Sequence, residues 1–550
     1  MNFAYIALKA LAPKARAFER STKDPIVSQE RVLLEYLSRN KNTEYGLKYN
    51  FAGIKTISDY QSLVPMSDCE TMRPYIEKMT KGAAGVLTVD NPIFFGMTSG
   101  TTNRPKLIPV TKYSRDRKKE VADLWAYYIA RDHPGVLKGR ILAIISPEIE
   151  GYTEAGLPYG AESGHGYKNL PFAIKNLYAL PYEVFDIKDY KARHYSILRI
   201  SMEQNVTTLA TLNPSTLVLL CQKIDGWKDD IIKDIEKGTL SDKFDISEGI
   251  RRKIKFNPNK ARAEELRRIL RDRGELLPKY FWPNMQIIEC WKGGTVKLYL
   301  KELPKFFGDA PIRDFGCLST EARSSIPMSD EGAGGVLAIN TNFYEFVPKE
   351  DMGRKKKRFF LCDRLEKGQE YFLIVTTPGG LYRYNIDDII TVDGFFNKTP
   401  MIEFVQKGLN AVSIIGEKLY ESHVNEAVNG AVDENGVLLD FFSANVEPGP
   451  PPRYIFLVEF NTNPPPDKKK ALLRSIEEGL YRQNAEYEDK RKSEDLAPPV
   501  LKVVRKGEFE RYRARKIENG APDGQFKVPE LVLDFDFQDN FAIEEEVYLD

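Results

Sequence analysis

The stretch of this 550-residue chain with the clearest capacity for chemistry is TSGTTNRPK, from Thr98 to Lys106. Its hydroxyl and backbone N–H groups can donate to several phosphate oxygens at once, and Lys106 adds a positive charge. The donors are Thr98, Ser99, Gly100, Thr101 and Thr102. The pattern is not G-x-x-x-x-G-K-[ST], because Gly100 has no glycine five residues on and Leu107 follows Lys106. We predict a triphosphate-binding loop, against the alternative of a Ser/Thr-rich surface turn.

Two further stretches carry residue types that nucleotide sites use. GCLSTEAR (316–323) contains Glu321, and a carboxylate near phosphates can hold Mg²⁺. On the residues alone, however, Glu321 is a solvated acid like most others. LYRYNIDDI (381–389) contains two adjacent aspartates, and an aspartate can accept hydrogen bonds from both ribose hydroxyls. We expect Arg383 in this stretch to pair with a carboxylate in a structural role, with a phosphate contact as the alternative.

The charge and composition exclude several classes of function. The 80 basic and 79 acidic residues leave a formal charge of +1, so the chain has no global field to hold nucleic acid or an anionic membrane. No stretch approaches the roughly 18 uncharged apolar residues of a membrane span. The 5 cysteines are widely spaced, and the 4 histidines show no metal-ligand spacing. These features predict a cytoplasmic protein without a zinc site.

The elements that must position these groups predict an α/β fold. Apolar runs such as MQIIECW (285–291) and YFLIVTT (371–377) alternate with helical segments such as ARAEELRRILRDRG (261–274). This alternation is typical of a lobe with largely parallel sheets. The run TLVLLC (216–221) fits either a strand or a buried helix.

The character of the sequence changes near residue 408. Two proline-rich polar stretches, EPGPPPR (447–453) and NPPPDKKK (463–470), flank the strand-like YIFLVEF (454–460). We predict a large N-terminal lobe over 1–408, with mixed and parallel sheets flanked by helices. A smaller α+β domain is predicted over 409–550.

The motifs as a set resemble one enzyme superfamily. TSGTTNRPK looks like the phosphate-loop signature of the acyl-adenylate-forming enzymes. Within that superfamily the whole chain resembles the acyl acid amido synthetases, which conjugate plant hormones such as auxin and jasmonate to amino acids. The further stretches that align in order are VPMSDCETMRPYIEKMTKG (64–82), DIEKGTLSDK (234–243), FWPNMQIIECWKGGT (281–295), GCLSTEARSSIP (316–327), PGGLYRYNIDDIITVDGFFNKTPMIEFV (378–405) and GAPDGQFKVPELV (520–532).

The resemblance implies an adenylate-forming fold that uses ATP and Mg²⁺. Residues 1–408 become the adenylating domain that binds ATP and the acyl acid, and 409–550 become a mobile domain. Lys106, Glu321 and Lys527 are implied as catalytic residues, with Glu321 also the Mg²⁺ ligand. Lys527 lies in DGQFKVP, where the superfamily's usual glycine-lysine pattern is missing.

Nucleotide contacts are implied for Ser319 and Thr320 near the α-phosphate and for Asp388 on the ribose. The family pattern Tyr-Arg-Tyr-x-x-Gly-Asp puts Asp387 at the usual glycine position, and a register one residue away makes Asp387 the ribose ligand instead. Tyr344 is implied to stack near adenine, with a core-facing strand aromatic as the alternative. Lys407 falls at the superfamily's hinge.

The same resemblance places Trp291, Gly293 and Gly294 beside the acyl pocket and adenine. Adjacent glycines permit close backbone approach to a ligand, although they also suit a turn at the end of a strand. Cys317 stands where plant members typically have tyrosine, which predicts different surroundings for the acyl group or adenine.

The predicted function is adenylation of a small carboxylic acid, followed by transfer of the acyl group to an amine, typically an amino acid. One alternative passes the same adenylate to coenzyme A. Another is a non-catalytic protein that binds a carboxylate or a nucleotide. The predicted partners are the two small-molecule substrates, without nucleic acid or membrane, and the predicted state is a monomer or weak homodimer.

Overall fold

A computed structural model of the chain describes residues 3–98, 106–293, 297–408, 411–518 and 528–549. The chain forms two compact units, one of Met1–Thr98 with Lys106–Val405 and one that covers Gln406–Asp550. Helices and strands from several sheets are mixed along both, so the predicted α/β class is confirmed. The functional roles of the two domains, and the mobility of the smaller one, stay predictions.

The helices of the larger unit alternate with its strands. The helices are α1 (Phe3–Ser21), α2 (Pro25–Asn40), α3 (Glu44–Lys48), α4 (Ile57–Leu63), α5 (Cys69–Thr80), α6 (Lys112–Asp132), α7 (Glu162–Lys168), α8 (Phe172–Lys175), α9 (Tyr190–Ser201), α10 (Pro214–Lys237), α11 (Glu248–Lys253), α12 (Lys260–Arg273), α13 (Pro278–Phe281), α14 (Lys297–Leu300) and α15 (Leu303–Phe307). The strands are β1 (Pro92–Thr98), β2 (Lys106–Thr111), β3 (Arg140–Ala143), β4 (Gly151–Tyr152), β5 (Pro158–Gly160), β6 (Val206–Ala210), β7 (Ile287–Glu289), β8 (Ile312–Arg313), β9 (Ser325–Ile326), β10 (Gly335–Leu337), β11 (Phe343–Pro348), β12 (Glu370–Thr376), β13 (Tyr384–Phe396) and β14 (Thr399–Lys407).

Local signals explain where the helices begin. Helix α6 starts at a reciprocal cap, in which the Ser114 N–H donates to the Thr111 hydroxyl and the Thr111 N–H donates to the Ser114 hydroxyl. Helix α10 starts with the Asn213 side chain as its cap and Pro214 in its first turn. The ambiguous run 216–221 lies inside α10, so the helical alternative is confirmed there.

Among the described residues, the larger unit contains three sheets. A parallel sheet has the order β3-β6-β7-β8, and its strands end at Ala143, Ala210, Glu289 and Arg313. A second sheet has the order β2-β1-β5-β4, and a third has the order β11-β12-β13-β14-β10-β9. Their pairs are mostly antiparallel, so the expectation of largely parallel sheets holds only for the first sheet and the lobe is mixed. Because parallel strands place their carboxyl ends at one edge, the segments that follow β3, β7 and β8 emerge together.

The Arg383 side chain ties the six-stranded sheet to the N-terminal helices. Its guanidinium forms two hydrogen bonds to Glu345, with Nε–Oε2 and Nη2–Oε1 distances of 2.8 and 2.9 Å. It also donates to the carbonyls of Val64 at 2.7 Å and Gln61 at 3.0 Å. Both charged side chains are buried. The expected carboxylate pairing of Arg383 is therefore confirmed, since four bonds satisfy this buried guanidinium.

The smaller unit is an α+β layer. Its elements are β15 (Ala411–Val412), β16 (Leu419–Tyr420), α16 (Glu421–Asn435), β17 (Leu439–Glu447), β18 (Arg453–Phe460), α17 (Pro466–Gln483), α18 (Ala485–Lys492), β19 (Val500–Val504), α19 (Glu508–Glu518) and β20 (Ile543–Tyr548). Strands β17, β18, β19 and β20 form one sheet in that order. Its buried Glu417 accepts from the N–H groups of Ile414 and Ile415 at 2.8 and 2.9 Å and from the Tyr454 hydroxyl.

Two global features accompany this fold. In the ranges given above, no helix has both the length and the apolar character needed to cross a membrane. All five cysteines are free thiols.

Candidate active site

The predicted phosphate loop joins the hairpin of β1 and β2. These strands pair antiparallel, and Thr98 at the end of β1 lies opposite Lys106 at the start of β2. The hairpin register therefore sets the Lys106 backbone beside that of Thr98. The predicted donors Ser99, Gly100, Thr101 and Thr102 lie outside the described residues.

A tight turn carries the second motif. The Ser319 N–H donates to the Ala322 carbonyl at 2.9 Å, and the Ala322 N–H donates to the Ser319 hydroxyl at 3.2 Å. Glu321 lies in this turn and is only 6% exposed. The sequence places a carboxylate there, and the fold removes it from bulk water.

The turn packs against β1 at a glycine. A Cβ on Gly96 would lie 2.5 Å from Thr320 Cγ2 and 3.2 Å from Glu162 Cγ, so the strand must lack a side chain at this point. Lys118 on α6 donates to the Thr320 carbonyl at 2.6 Å and pairs with Glu162 on α7 at 2.7 Å. Strand β1, helices α6 and α7 and the 319–322 turn therefore meet at Gly96.

The charges of Lys106 and Glu321 both act on the Cys69 thiol. Burial raises the pKa of the Cys69 thiol, the positive charges of Lys106 and Arg73 oppose this shift, and the Glu321 charge adds to it. Burial, and then the Glu321 charge, raises the pKa of Tyr384 well above its ordinary value. The predicted phosphate-binding lysine and the predicted Mg²⁺ carboxylate therefore both lie near Cys69.

The two adjacent aspartates lie in a bulge of β13. Phe372 of β12 pairs with Ile389 and Ile374 pairs with Asn385, so residues 386–388 oppose a single residue of β12. Asp387 has a φ of +64°, a conformation that glycine adopts freely and that aspartate tolerates. Asp388 is buried. The backbone therefore supports the alignment that puts Asp387 at the family's glycine position and Asp388 at the ribose position.

The Asp388 side chain lies near Cys317. Burial, followed by the charges of Asp314 and Asp388, raises the pKa of the Cys317 thiol. The Cys317 N–H donates to the Ser325 hydroxyl at 2.9 Å. The chain therefore presents a small neutral thiol beside Asp388.

The segment after β7 approaches β14. The Trp291 N–H donates to the Leu212 carbonyl at 3.0 Å. A Cβ on Gly293 would lie 3.1 Å from the Phe404 carbonyl oxygen, so this glycine permits close approach of two backbone segments. Gly294 lies outside the described residues. The role of these residues beside the acyl group stays a prediction.

Two of the remaining predicted residues, Tyr344 and Lys407, lie in strands of the six-stranded sheet. Tyr344 is fully buried in β11, where its N–H donates to Gln29 Oε1 at 2.8 Å and its hydroxyl accepts from Asn342 at 2.9 Å. These contacts support its core-facing alternative. Lys407 is buried at the end of β14, and Lys527 lies outside the described residues.

Sequence reasoning missed Gly96, Lys118 and Glu162. A glycine inside the strand-like run PIFFGMT is a signal for close backbone approach, and it was available for Gly96. Lys118 belongs to the charged run RDRKKE, where nothing local separates it from its solvated neighbours.

A histidine missed by motif reasoning lies one turn after Glu162. The His165 ring stacks on Phe94 of β1 at a centroid distance of 4.2 Å, and its Nδ1 lies 2.8 Å from Glu148 Oε1. Lys168 pairs with the other Glu148 oxygen at 2.7 Å. Among the described residues, His165 Nε2 is buried without a hydrogen-bond partner. The fold therefore fixes the His165 ring through Nδ1 and through stacking on Phe94.

The contact at Gly96 predicts a compensating pair of substitutions. Gly96→Ala should lower the free energy of unfolding of the larger unit by about 1–3 kcal/mol, because the new methyl group overlaps Thr320 Cγ2. Adding Thr320→Ser removes that Cγ2 and should restore most of the loss. Urea unfolding of both single variants and the double variant measures the coupling.

Gly394→Ala is the matched control, because a Cβ at this β13 glycine would meet no atom within 4 Å. Equal stability of the Gly96→Ala and Gly394→Ala variants would contradict the packing described. So would a Gly96→Ala/Thr320→Ser variant whose loss of stability equals the sum of the losses in the two single variants.

Comparison with characterised proteins identifies relatives of similar length. The chain is 27% identical over 546 residues to indole-3-acetic acid-amido synthetase GH3.3 of Arabidopsis thaliana, covering 94% of this chain and 91% of the relative. It is 24% identical over 538 residues to jasmonoyl–L-amino acid synthetase JAR4 of Nicotiana attenuata, covering 94% and 92%. The solved structure of AtGH3.15 acyl acid amido synthetase in complex with 2,4-DB has a TM-score of 0.65 at 23% identity, covering 97% and 96% of the two chains. That likeness shows a shared fold.

Family profiles cover most of the sequence. The GH3 family N-terminal domain matches residues 14–312, the central domain matches 335–407 and the C-terminal domain matches 422–535. The N-terminal match alone spans more than half of the 550 residues. The resemblance inferred from the motifs is confirmed, and this chain belongs to the GH3 family.

Proposed function

We propose that the chain adenylates a small carboxylic acid with ATP and transfers the acyl group to an amino acid as an amide. The observation that carries the proposal is the meeting of Thr320 with β1 at Gly96, two residues before the predicted phosphate loop. Membership of the GH3 family supports the same chemistry, since its curated relatives are named amido synthetases.

In the first half-reaction a carboxylate oxygen attacks the α-phosphorus, and pyrophosphate leaves. Lys106 balances phosphate charge at the start of β2, and Thr320, held through its carbonyl by Lys118, contacts the α-phosphate region. Asp388 accepts hydrogen bonds from the ribose hydroxyls. Positioning and charge stabilisation supply the catalysis.

Mg²⁺ fits this site. No group of three His, Cys, Asp or Glu side chains that could enclose a metal occurs in the described ranges, but Mg²⁺ is typically held by one or two carboxylates plus substrate phosphates. Glu321 supplies such a buried carboxylate. When bound, Mg²⁺ neutralises charge on the phosphates.

In the second half-reaction a neutral amine attacks the carbonyl of the acyl-adenylate. A C–N bond forms, the C–O bond to AMP breaks, and the amine gives up a proton. We assign Lys527 to the first step, where it neutralises charge as the carboxylate attacks the α-phosphate and pyrophosphate leaves. The smaller domain then rotates between the two steps, with Lys407 at its hinge. We place the protein in the cytoplasm as a monomer or weak homodimer, in keeping with its five free thiols.

The charged residues of the first step can be tested separately. Lys106→Ala and Glu321→Gln should each reduce carboxylate-dependent ATP–pyrophosphate exchange by about 100-fold or more, because each removes charge stabilisation from the transferring phosphate. Lys119→Ala and Glu154→Gln are matched controls on exposed side chains, and both should keep wild-type exchange. Unchanged exchange in a site variant with native circular dichroism would remove that residue from the mechanism.

The bulge in β13 allows a test of the ribose register. Asp388→Asn should raise the KM for ATP about tenfold or more, because a charged hydrogen-bond acceptor is lost. Asp387→Gly should keep the KM for ATP within about threefold, since glycine favours the positive φ found there. The opposite ranking in the exchange assay would make Asp387 the ribose ligand.

The acceptor distinguishes the proposal from its alternatives. A panel of carboxylic acids is first screened for ATP–pyrophosphate exchange without an acceptor. Amino acids or coenzyme A are then added with the active acid, and mass spectrometry should detect an amide. A thioester without an amide would establish the acyl-CoA ligase alternative, and nucleotide binding without exchange for any acid would establish the non-catalytic one.

A further inference from the structure

The Arg323 guanidinium is a partly buried charge for which the described residues provide no ion pair. Arg323 follows the 319–322 turn and pairs across it with Leu318. Its guanidinium carbon lies 5.0 Å from the centroid of the Trp125 ring, and its Nε is buried without a hydrogen-bond partner in the described part of the chain. By contrast, the buried Arg383 makes four hydrogen bonds.

Helix α6 shows how far the Arg323 guanidinium lies from the Thr320 carbonyl, on the side where we place the nucleotide. Lys118 reaches the Thr320 carbonyl, whereas Trp125 lies seven residues further along the helix. Seven residues correspond to about 10.5 Å of helix rise. Trp125 also donates to the Asp314 carbonyl and stacks on Phe315, just after β8. Arg323 therefore points away from the turn, toward the carboxyl edge of the parallel sheet.

Glu289 faces Arg323 from that edge. It is the last residue of β7 and is 7% exposed, and burial raises its pKa to about 8 despite the nearby charges of Arg323 and Arg313. Arg313 is already engaged by Asp132 and Asp330 at 2.8 and 2.6 Å. Burial therefore favours the protonated form of Glu289, and in that form it does not compensate the charge of Arg323.

A partly buried guanidinium without an ion-pair partner among the described residues favours an anionic ligand. An acyl group with an apolar end would bury this charge without a partner, whereas a carboxylate would bind it through two hydrogen bonds. The protonated Glu289 can donate a further hydrogen bond to the same carboxylate. The flat Trp125 ring beneath the guanidinium keeps water from one of its faces.

We propose that the acid activated by this chain is a dicarboxylic acid, and that Arg323 binds the carboxylate remote from the one that reacts. The inference rests on the proposed function, because it takes the 319–322 turn as the nucleotide end of the site. It names the substrate class, and Arg323 is the residue that selects it.

Matched acids test the substrate class in ATP–pyrophosphate exchange with the full chain. The pairs are adipic with hexanoic acid and 3-carboxyphenylacetic with phenylacetic acid. In at least one pair, kcat/KM for the dicarboxylic acid should exceed that of its partner by about tenfold or more, because the monoacid leaves buried polar groups unpaired. Equal or higher kcat/KM for the monoacid in both pairs would overturn the inference.

Substitution of Arg323 tests the residue. Arg323→Met should lower kcat/KM for the dicarboxylic acid by about tenfold or more and raise it for the monoacid, while Arg323→Lys should keep part of the preference. A loss of equal size for both acids would show a structural role and overturn the assignment. Arg131→Gln is the matched control, because it removes an exposed guanidinium from α6 that lies 4.9 Å from the Tyr128 ring centroid.

Ligand-induced thermal shifts provide a second measurement if the methionine variant does not fold. Adipate should raise the Tm of the wild-type chain more than hexanoate does, and an equal shift would count against the proposal. Exchange with hexanoate or phenylacetate alone would leave the proposed function standing and refute the dicarboxylic class. The absence of exchange with every acid tested would refute the proposed function itself.

Discussion

The close approach of the 319–322 turn to strand β1 at Gly96 is the constraint on which the candidate site depends. Because Gly96 has no side chain, Thr320 packs directly on the strand that leads into the predicted phosphate loop. Lys118 and Glu162 hold this arrangement from two helices. Glu321 in the turn and Lys106 in the strand paired with β1 are thereby supported by one rigid group of elements, which suits a mechanism based on positioning.

The parallel sheet provides the second support. Its short strands β3, β7 and β8 end at one edge, and the chain leaves that edge toward Glu148, Trp291 and Cys317. Ligands of open α/β sheets commonly bind outside the carboxyl ends of the strands. A buried carboxylic acid at the last position of β7 is costly, and its presence at this edge accords with a polar ligand.

Two arginines, the buried Arg383 and the partly buried Arg323, differ in the hydrogen bonds that the fold gives them. Arg383 donates hydrogen bonds to Glu345 and to two backbone carbonyls, so its charge is compensated within the fold. Arg323 lies on Trp125 with its Nε unpaired among the described residues. The formal net charge of +1 does not reveal this difference between the two arginines, because the difference lies in their local surroundings.

The sequence by itself determined the α/β class, the phosphate-loop motif and the resemblance to the acyl acid amido synthetases, because periodicity and short motifs are local patterns. It did not determine that Glu321 is buried in a tight turn. It left 216–221 open between strand and helix, and it left Tyr344 between adenine and the core. Only the tertiary structure joined Lys118 to Thr320, which are 202 positions apart, and brought Arg323 to Trp125 and Glu289. Such contacts arise when separate helices and strands pack together, and no local pattern records them.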